Sequence, residues 1–185
     1  MRKVVFALFA FAGLLLGCTS VDCSMNNSVA GVYAFLPARN DSLGNWNDSS
    51  LTVVVKGIEG EDTIMNKKAI SSNFSLPVSY TQDVDEFRFL LQDTSYNTVA
   101  VDTIRIRKNN EPIFEGVDCA LRYHHKVLSA TTTKHFLDTI EVNNDYISND
   151  LTKVHFSLYL QPSKRFAVSK RFAVSKRPLV SSEKD

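Results

Sequence analysis

An all-β fold, an antiparallel two-sheet sandwich of about eight short strands, is what this chain predicts, and three observations carry it. From Val29 onward apolar and polar residues alternate at period two in segment after segment, the mark of half-buried strands. Clusters rich in Asn, Asp and Ser separate those segments, as at residues 39–50 and 108–112, where turn chemistry interrupts a ladder. No stretch repeats apolar residues at the three- and four-residue spacing of an amphipathic helix. Regularly spaced strands without helices favour two packed sheets, immunoglobulin-like in shape, with a small barrel as the alternative.

A chain of 185 residues, 44% hydrophobic and 22% charged, is long enough for one well-buried core and has neither a collagenous nor a disordered composition. One globular domain is expected at residues 29–161, preceded by a leader (1–17) and a short tether (18–28) and followed by a tail (162–185).

The leader comes first. Residues 4–16 are thirteen consecutive Val, Phe, Ala, Leu and Gly, preceded by Arg2 and Lys3, whereas a bilayer crossing needs roughly 20 apolar residues. A positive start, a short apolar run and a small residue at its end fit a secretory signal peptide with Gly17 at the cut. A buried core helix would show a polar face, and residues 4–16 show none.

Leu15-Leu16-Gly17-Cys18 resembles the lipobox of bacterial lipoproteins, with Leu16 where Ala or Ser is commoner. The resemblance implies that Cys18 becomes the mature N-terminus and carries a diacylglycerol thioether and an N-acyl chain. Each buried acyl methylene contributes about 0.8 kcal/mol, and two or more chains hold a protein where one binds marginally. The implied partner is a lipid bilayer; ordinary secretion with Cys18 as a disulfide partner is the alternative.

Three cysteines are an awkward number for an exported protein, but giving Cys18 to lipid leaves Cys23 and Cys119 as one pair. Free or metal-binding thiols compete with that reading. No second Cys or His stands two to four residues from either one, which argues against zinc, and no metal or cofactor is expected.

The expected strands follow at residues 29–36, 51–58, 74–80, around Phe87 and Phe89, 101–107, 120–128, 136–142 and 154–160. Phe74, Leu76, Val78 and Tyr80 share one face, and Pro77 cannot donate to a ladder, so this strand belongs at an edge. Val154, Phe156, Leu158 and Leu160 alternate with Lys153, His155, Ser157 and Tyr159. His124 and His125 are neighbours and face opposite sides of a strand; His125 is expected inside and His124 in solvent. The tail repeats Ser163-Lys164-Arg165-Phe166-Ala167-Val168 at residues 169–174, with a damaged third copy after it. It reads as a slippage product at a mobile terminus, or as a basic segment that touches anionic lipid.

A Cys-led N-terminus, the early Val32-Tyr33-Ala34-Phe35 strand, Ser75-Leu76-Pro77-Val78, Val101-Asp102-Thr103-Ile104-Arg105-Ile106, the segment at 118–128 and the closing strand at 154–160 together resemble one family. It is a family of Bacteroidetes lipoproteins known only as a domain of unknown function, and the likeness covers residues 18–160. Ala120 stands where its members often have Gly. The resemblance implies an anchored β-rich domain and supplies no catalytic residues. Asp41-Ser42-Leu43, Asp62-Thr63-Ile64, Asp102-Thr103-Ile104 and Asp138-Thr139-Ile140 resemble an O-glycosylation acceptor motif of the same bacteria, and also suit plain strand entry.

Charge excludes one class of partner. Residues 19–162 hold 12 Lys or Arg against 18 Asp or Glu, a net of −6, while residues 163–185 hold 7 against 2, a net of +5. An acidic body offers no basic face for nucleic acid. None of the common catalytic motifs occurs among the seven glycines and four histidines. Asp83, Asp85 and Glu86 read as a solvated turn, without the spaced ligands and Gly of a calcium loop.

The expected function is therefore a non-catalytic envelope lipoprotein, anchored to the outer membrane and facing the periplasm, with the cell surface as the alternative, since Asp22 is the one acid between Cys18 and Cys23 and surface export goes with an acidic run there. It would bind an envelope protein or glycan through loops such as 39–50, with Trp46 either stacking on a sugar or packing in the core. A small glycan-acting hydrolase is the alternative and requires paired carboxylates in a concave cleft.

Overall fold

The computed structural model describes residues 23, 29–38, 41–56, 60–70, 73–93, 98–117 and 119–162. The leader, Cys18 and the tail repeat lie outside the described residues. Among the described residues run β1 (Ala30–Leu36), a 3-10 turn (Leu43–Trp46), β2 (Ser49–Lys56), β3 (Glu61–Ala69), β4 (Phe74–Pro77) and β5 (Val84–Asp93). After them come β6 (Thr98–Ile113), β7 (Arg122–Thr132), β8 (Leu137–Val142), β9 (Tyr146–Ile147) and β10 (Phe156–Leu160). They form a four-stranded sheet in the order β4-β1-β10-β8 and a six-stranded sheet in the order β3-β2-β5-β6-β7-β9, and neither closes on itself as a barrel would.

Period-two burial builds the core from the inner faces of both sheets. In β5 the inward residues are Asp85, Phe87, Phe89, Leu91 and Asp93, of which Phe87, Phe89 and Leu91 share one core with Tyr33, Phe35, Phe74, Leu76, Phe156 and Leu158 from the four-stranded sheet. Tyr33 is the hub. Its ring stacks on Phe74 at 5.3 Å and on Phe156 at 4.8 Å, and meets Phe87 and Phe89 edge-on at 6.5 and 6.3 Å. Each such side chain taken from water contributes about 1.5–3 kcal/mol, so this aromatic cluster joins the two sheets. A second join is Asp102 of β6, whose carboxylate accepts the backbone N–H groups of His135, Phe136 and Leu137 at 2.7–2.8 Å and the Thr133 hydroxyl at 2.7 Å. Those residues carry the chain from the six-stranded sheet into β8 of the other.

Several expectations need correction. Among the described residues there are ten strands rather than about eight, because β3 and β9 carry no alternating pattern. β3 is an edge strand exposed along most of its length, so neither face must be apolar; its Glu61, Asp62, Lys67 and Lys68 are the charges that keep an edge from pairing with another chain. Residues 108–112, expected as a gap, continue β6. β5 pairs with β6 only as far as Arg107, and beyond it β6 has β7 as its one neighbour, so Pro112 is accommodated without a missing ladder bond.

β4 does lie at a sheet edge, as Pro77 requires, but it ends there, and Tyr80 leaves the shared face to stand 63% exposed. The pairing is not antiparallel throughout. β1 and β10 run parallel, Tyr33 beside Phe156 and Phe35 beside Leu158. His155, expected on the solvent side, is buried because its Nδ1 accepts the Val32 N–H at 3.0 Å while its own N–H donates to the Val32 carbonyl at 2.9 Å. The side chain thus extends the β1–β10 ladder by one rung.

Candidate functional site

Cys23 and Cys119 form a disulfide that bridges 96 residues of sequence. It fastens the N-terminal segment to the loop at residues 114–121, the connection between the hairpin strands β6 and β7. Beside it the sheets part into a cleft of about 450 Å³, lined by Val29 ahead of β1, Val78 and Tyr80 after β4, and Leu121, Arg122, Tyr123 and His125 from the start of β7. The rings of Tyr80 and Tyr123 stack at 5.4 Å with an interplanar angle of 17°. Arg122 is buried and forms an ion pair with Glu115 across the hairpin loop.

A chain of buried polar groups runs behind the lining. Lys108 Nζ lies 3.4 Å from the Asp85 carboxylate, with both side chains buried, and donates to the Gln82 carbonyl. Burial pushes the Asp85 carboxyl up from its ordinary value, while Lys108 and the Ser79 N–H pull it back. Asn110 donates its amide N–H to the Gln82 carbonyl at 3.1 Å, which turns its Oδ1 toward His125 Nδ1 at 2.8 Å. The amide oxygen can only accept, so Nδ1 of His125 carries the proton and Nε2 keeps its lone pair. Burial, with the charge of Lys108 and His124 beside it, pushes the His125 pKa down to about 4, so this imidazole is neutral at physiological pH.

The cleft therefore offers aromatic faces, aliphatic walls, a guanidinium and one imidazole acceptor. Its lining carries no carboxylate, and glycoside hydrolysis by the usual route needs two. The acids at 83–86 diverge: Asp85 turns inward to Lys108, Glu86 pairs with Arg105 at 2.7 Å, and Asp83 accepts from Asn110 at 3.4 Å. Among the described residues no three His, Cys, Asp or Glu come together as a metal site would require, and no helix is long and apolar enough to cross a membrane.

One grouping resembles a catalytic constellation without working as one. Thr133, His135 and Asp102 touch one another, but the Thr133 hydroxyl donates to Asp102 at 2.7 Å rather than to the imidazole, and the carboxylate is occupied by three backbone N–H groups. A nucleophile needs its base on its own proton. Those donors hold the Asp102 carboxyl below its ordinary value against the opposing effect of burial. Asp102 is thus a structural residue of β6.

The residues singled out in the sequence fall in different places. His125 is inside and in the cleft wall. Trp46 is 2% exposed and packs into the core from the 3-10 turn, which rules out sugar stacking by its ring. Cys18 lies outside the described residues. Tyr80, expected only as a strand residue, and Arg122, Tyr123 and Lys108 were not legible as site residues because their roles depend on partners distant in sequence or across a loop, which no local pattern encodes.

A model described as Family of unknown function (DUF6452) matches residues 50–160. No curated protein and no solved structure matches the chain. The matched segment runs from β2 to the end of β10 and takes in Tyr80, Lys108, Cys119, Arg122, Tyr123 and His125; because it covers more than half of the sequence, the chain belongs to the Family of unknown function (DUF6452).

Proposed function

We propose that this protein is a bacterial envelope lipoprotein, held to the bilayer by acyl chains on Cys18, whose β-sandwich binds an envelope protein or glycan in the cleft beside the disulfide. The observation that carries the binding role is the cleft itself: stacked Tyr80 and Tyr123, aliphatic Val29 and Val78, and buried Arg122 and His125 in one concavity. Ligand sites are concave and mostly apolar, with a few fixed polar groups, and tyrosine faces suit both sugar rings and partner side chains. Aromatic and aliphatic side chains in one concavity support binding as the role of this cleft. The anchor reading is supported by the apolar leader and the sequence Leu15-Leu16-Gly17-Cys18; the proposed location is the outer membrane, facing the periplasm.

Capture from native envelopes with the full-length lipidated protein, followed by a glycan-binding screen, tests the role. Tyr80→Ala and Tyr123→Ala are expected to lose the captured ligand while keeping the fold. Retention of every ligand by both variants would place recognition elsewhere. An intact mass lacking acyl chains on the mature protein would remove the anchor.

A further inference from the structure

The loop at residues 114–121 exposes more apolar surface than a hairpin connection needs. Phe114 is 71% exposed, Val117 92% and Leu121 53%. Scattered exposed hydrophobics are ordinary, but these three share one short loop, and that loop is bound through Cys119 to Cys23. Only five peptide units separate Cys23 from Cys18, a reach of about 18 Å at full extension. Whatever surface holds Cys18 is therefore close to this loop.

We propose that Phe114, Val117 and Leu121 insert into the interfacial layer of the same bilayer that holds Cys18, and so fix the orientation of the sandwich on the membrane. The inference rests on the lipidation of Cys18 proposed above. Aromatic placement agrees with it, and the insertion is shallow enough to leave the loop's two acids, Glu115 and Asp118, at headgroup level. Glu115, in the middle of the loop, has its carboxylate paired with Arg122, so it reaches the interface with its charge offset. Directly behind the apolar tip stand Tyr80 and Tyr123, and tyrosines gather at headgroup level, where one end of the ring is in an apolar medium and the hydroxyl is in water. Leu121 belongs to both the tip and the cleft wall, so a ligand of the cleft is met at the membrane surface.

The test uses the full-length, lipidated chain in phosphatidylcholine vesicles with brominated acyl chains, which quench indole fluorescence on contact. The native Trp46 is buried in the core and supplies a constant background. Val117→Trp puts the probe on the tip; Leu128→Trp puts it on β7 at a position 53% exposed, as Leu121 is, and about 23 Å further along than Leu121 at 3.3 Å per residue, beyond the roughly 5–10 Å depth of an interfacial element. The indole at position 117 is expected to lose most of its emission and the indole at 128 to lose none. Acylated, vesicle-bound protein with no quenching at 117 overturns the inserted tip and leaves the lipidation reading standing. Equal quenching at both positions overturns it as well, because the sheet face rather than the tip would then meet lipid. A preparation whose intact mass shows no acyl chains overturns the lipidation reading and, with it, the tip.

Discussion

Tyr33 places a hydroxyl in the middle of an aromatic cluster, and among the described residues that oxygen has no hydrogen-bond partner. Burial, with the Asp85 carboxylate nearby, pushes its pKa well up, so it stays a neutral phenol. The ring fits because residue 31 is glycine: a Cβ there would meet the Tyr33 ring at 3.3 Å and Phe156 at 3.2 Å. A buried, unbonded hydroxyl costs about 1–3 kcal/mol, so Tyr33→Phe is expected to raise stability by about 1 kcal/mol, read as a higher urea midpoint at unchanged slope. A lower midpoint would show that the hydroxyl is bonded. Asp102 is the opposite case, a buried charge whose oxygens are all engaged. Asp102→Ala strips the acceptor from three backbone N–H groups and should cost about 3 kcal/mol or more, while leaving the far β2–β3 pairing protected in hydrogen exchange. A loss under about 1 kcal/mol would mean that water replaces the carboxylate.

At the scale of elements, the hairpin β6–β7 depends on a cross-link as much as on its ladder. Beyond Arg107 it loses β5 and keeps only the two-residue β9 beside β7, and so small a piece of sheet is marginal alone in water. The Cys23–Cys119 disulfide ties its loop to the N-terminal segment across 96 residues. In the chain-entropy model such a loop is worth about 4–5 kcal/mol, so the double variant Cys23→Ser and Cys119→Ser should lower the denaturation free energy by that order. Hydrogen exchange should rise first in the amides of residues 108–125; uniform loosening of both sheets would contradict that placement. Strands with one buried face, such as β4 and β5, were legible in the sequence because burial forces alternation. β3 was not, since an exposed edge imposes no period, and neither was the far half of β6, where Lys108 and Asn110 are inward because Asp85 and His125 answer them from other strands. The parallel join of β1 and β10 was hidden for the same reason: a pairing between the two ends of a domain leaves no mark in either segment. The cleft shares that fate, being built from β7 and the flanks of β1 and β4.

At the scale of the whole molecule, the fold buries groups whose protonation changes between neutral and acid pH, and this gives its stability a pH dependence with a definite sign. The pKa of His125 falls to about 4 in the folded chain, against about 6.5 when unfolded. His155 is also lowered, chiefly by burial, and a proton on its Nδ1 would end its acceptance of the Val32 N–H. For both groups the unfolded chain takes up protons that the folded chain refuses, so the stability they contribute is full above pH 6.5 and is lost as pH falls toward the folded value. For His125 the loss is on the order of 3 kcal/mol. Asp102 acts in the same direction at lower pH, since its folded pKa lies below the unfolded one. Asp85 opposes them, because its raised value favours the folded state as acid is added. Three groups against one give a fall in stability with acidification. Urea midpoints measured from about pH 7 down to about pH 4 should drop steadily, and His125→Gln, which keeps an N–H for the Asn110 oxygen but does not titrate, should flatten the slope in that window. An unchanged slope in the variant would shift the pH dependence from the cleft wall to His155 and the β1–β10 join.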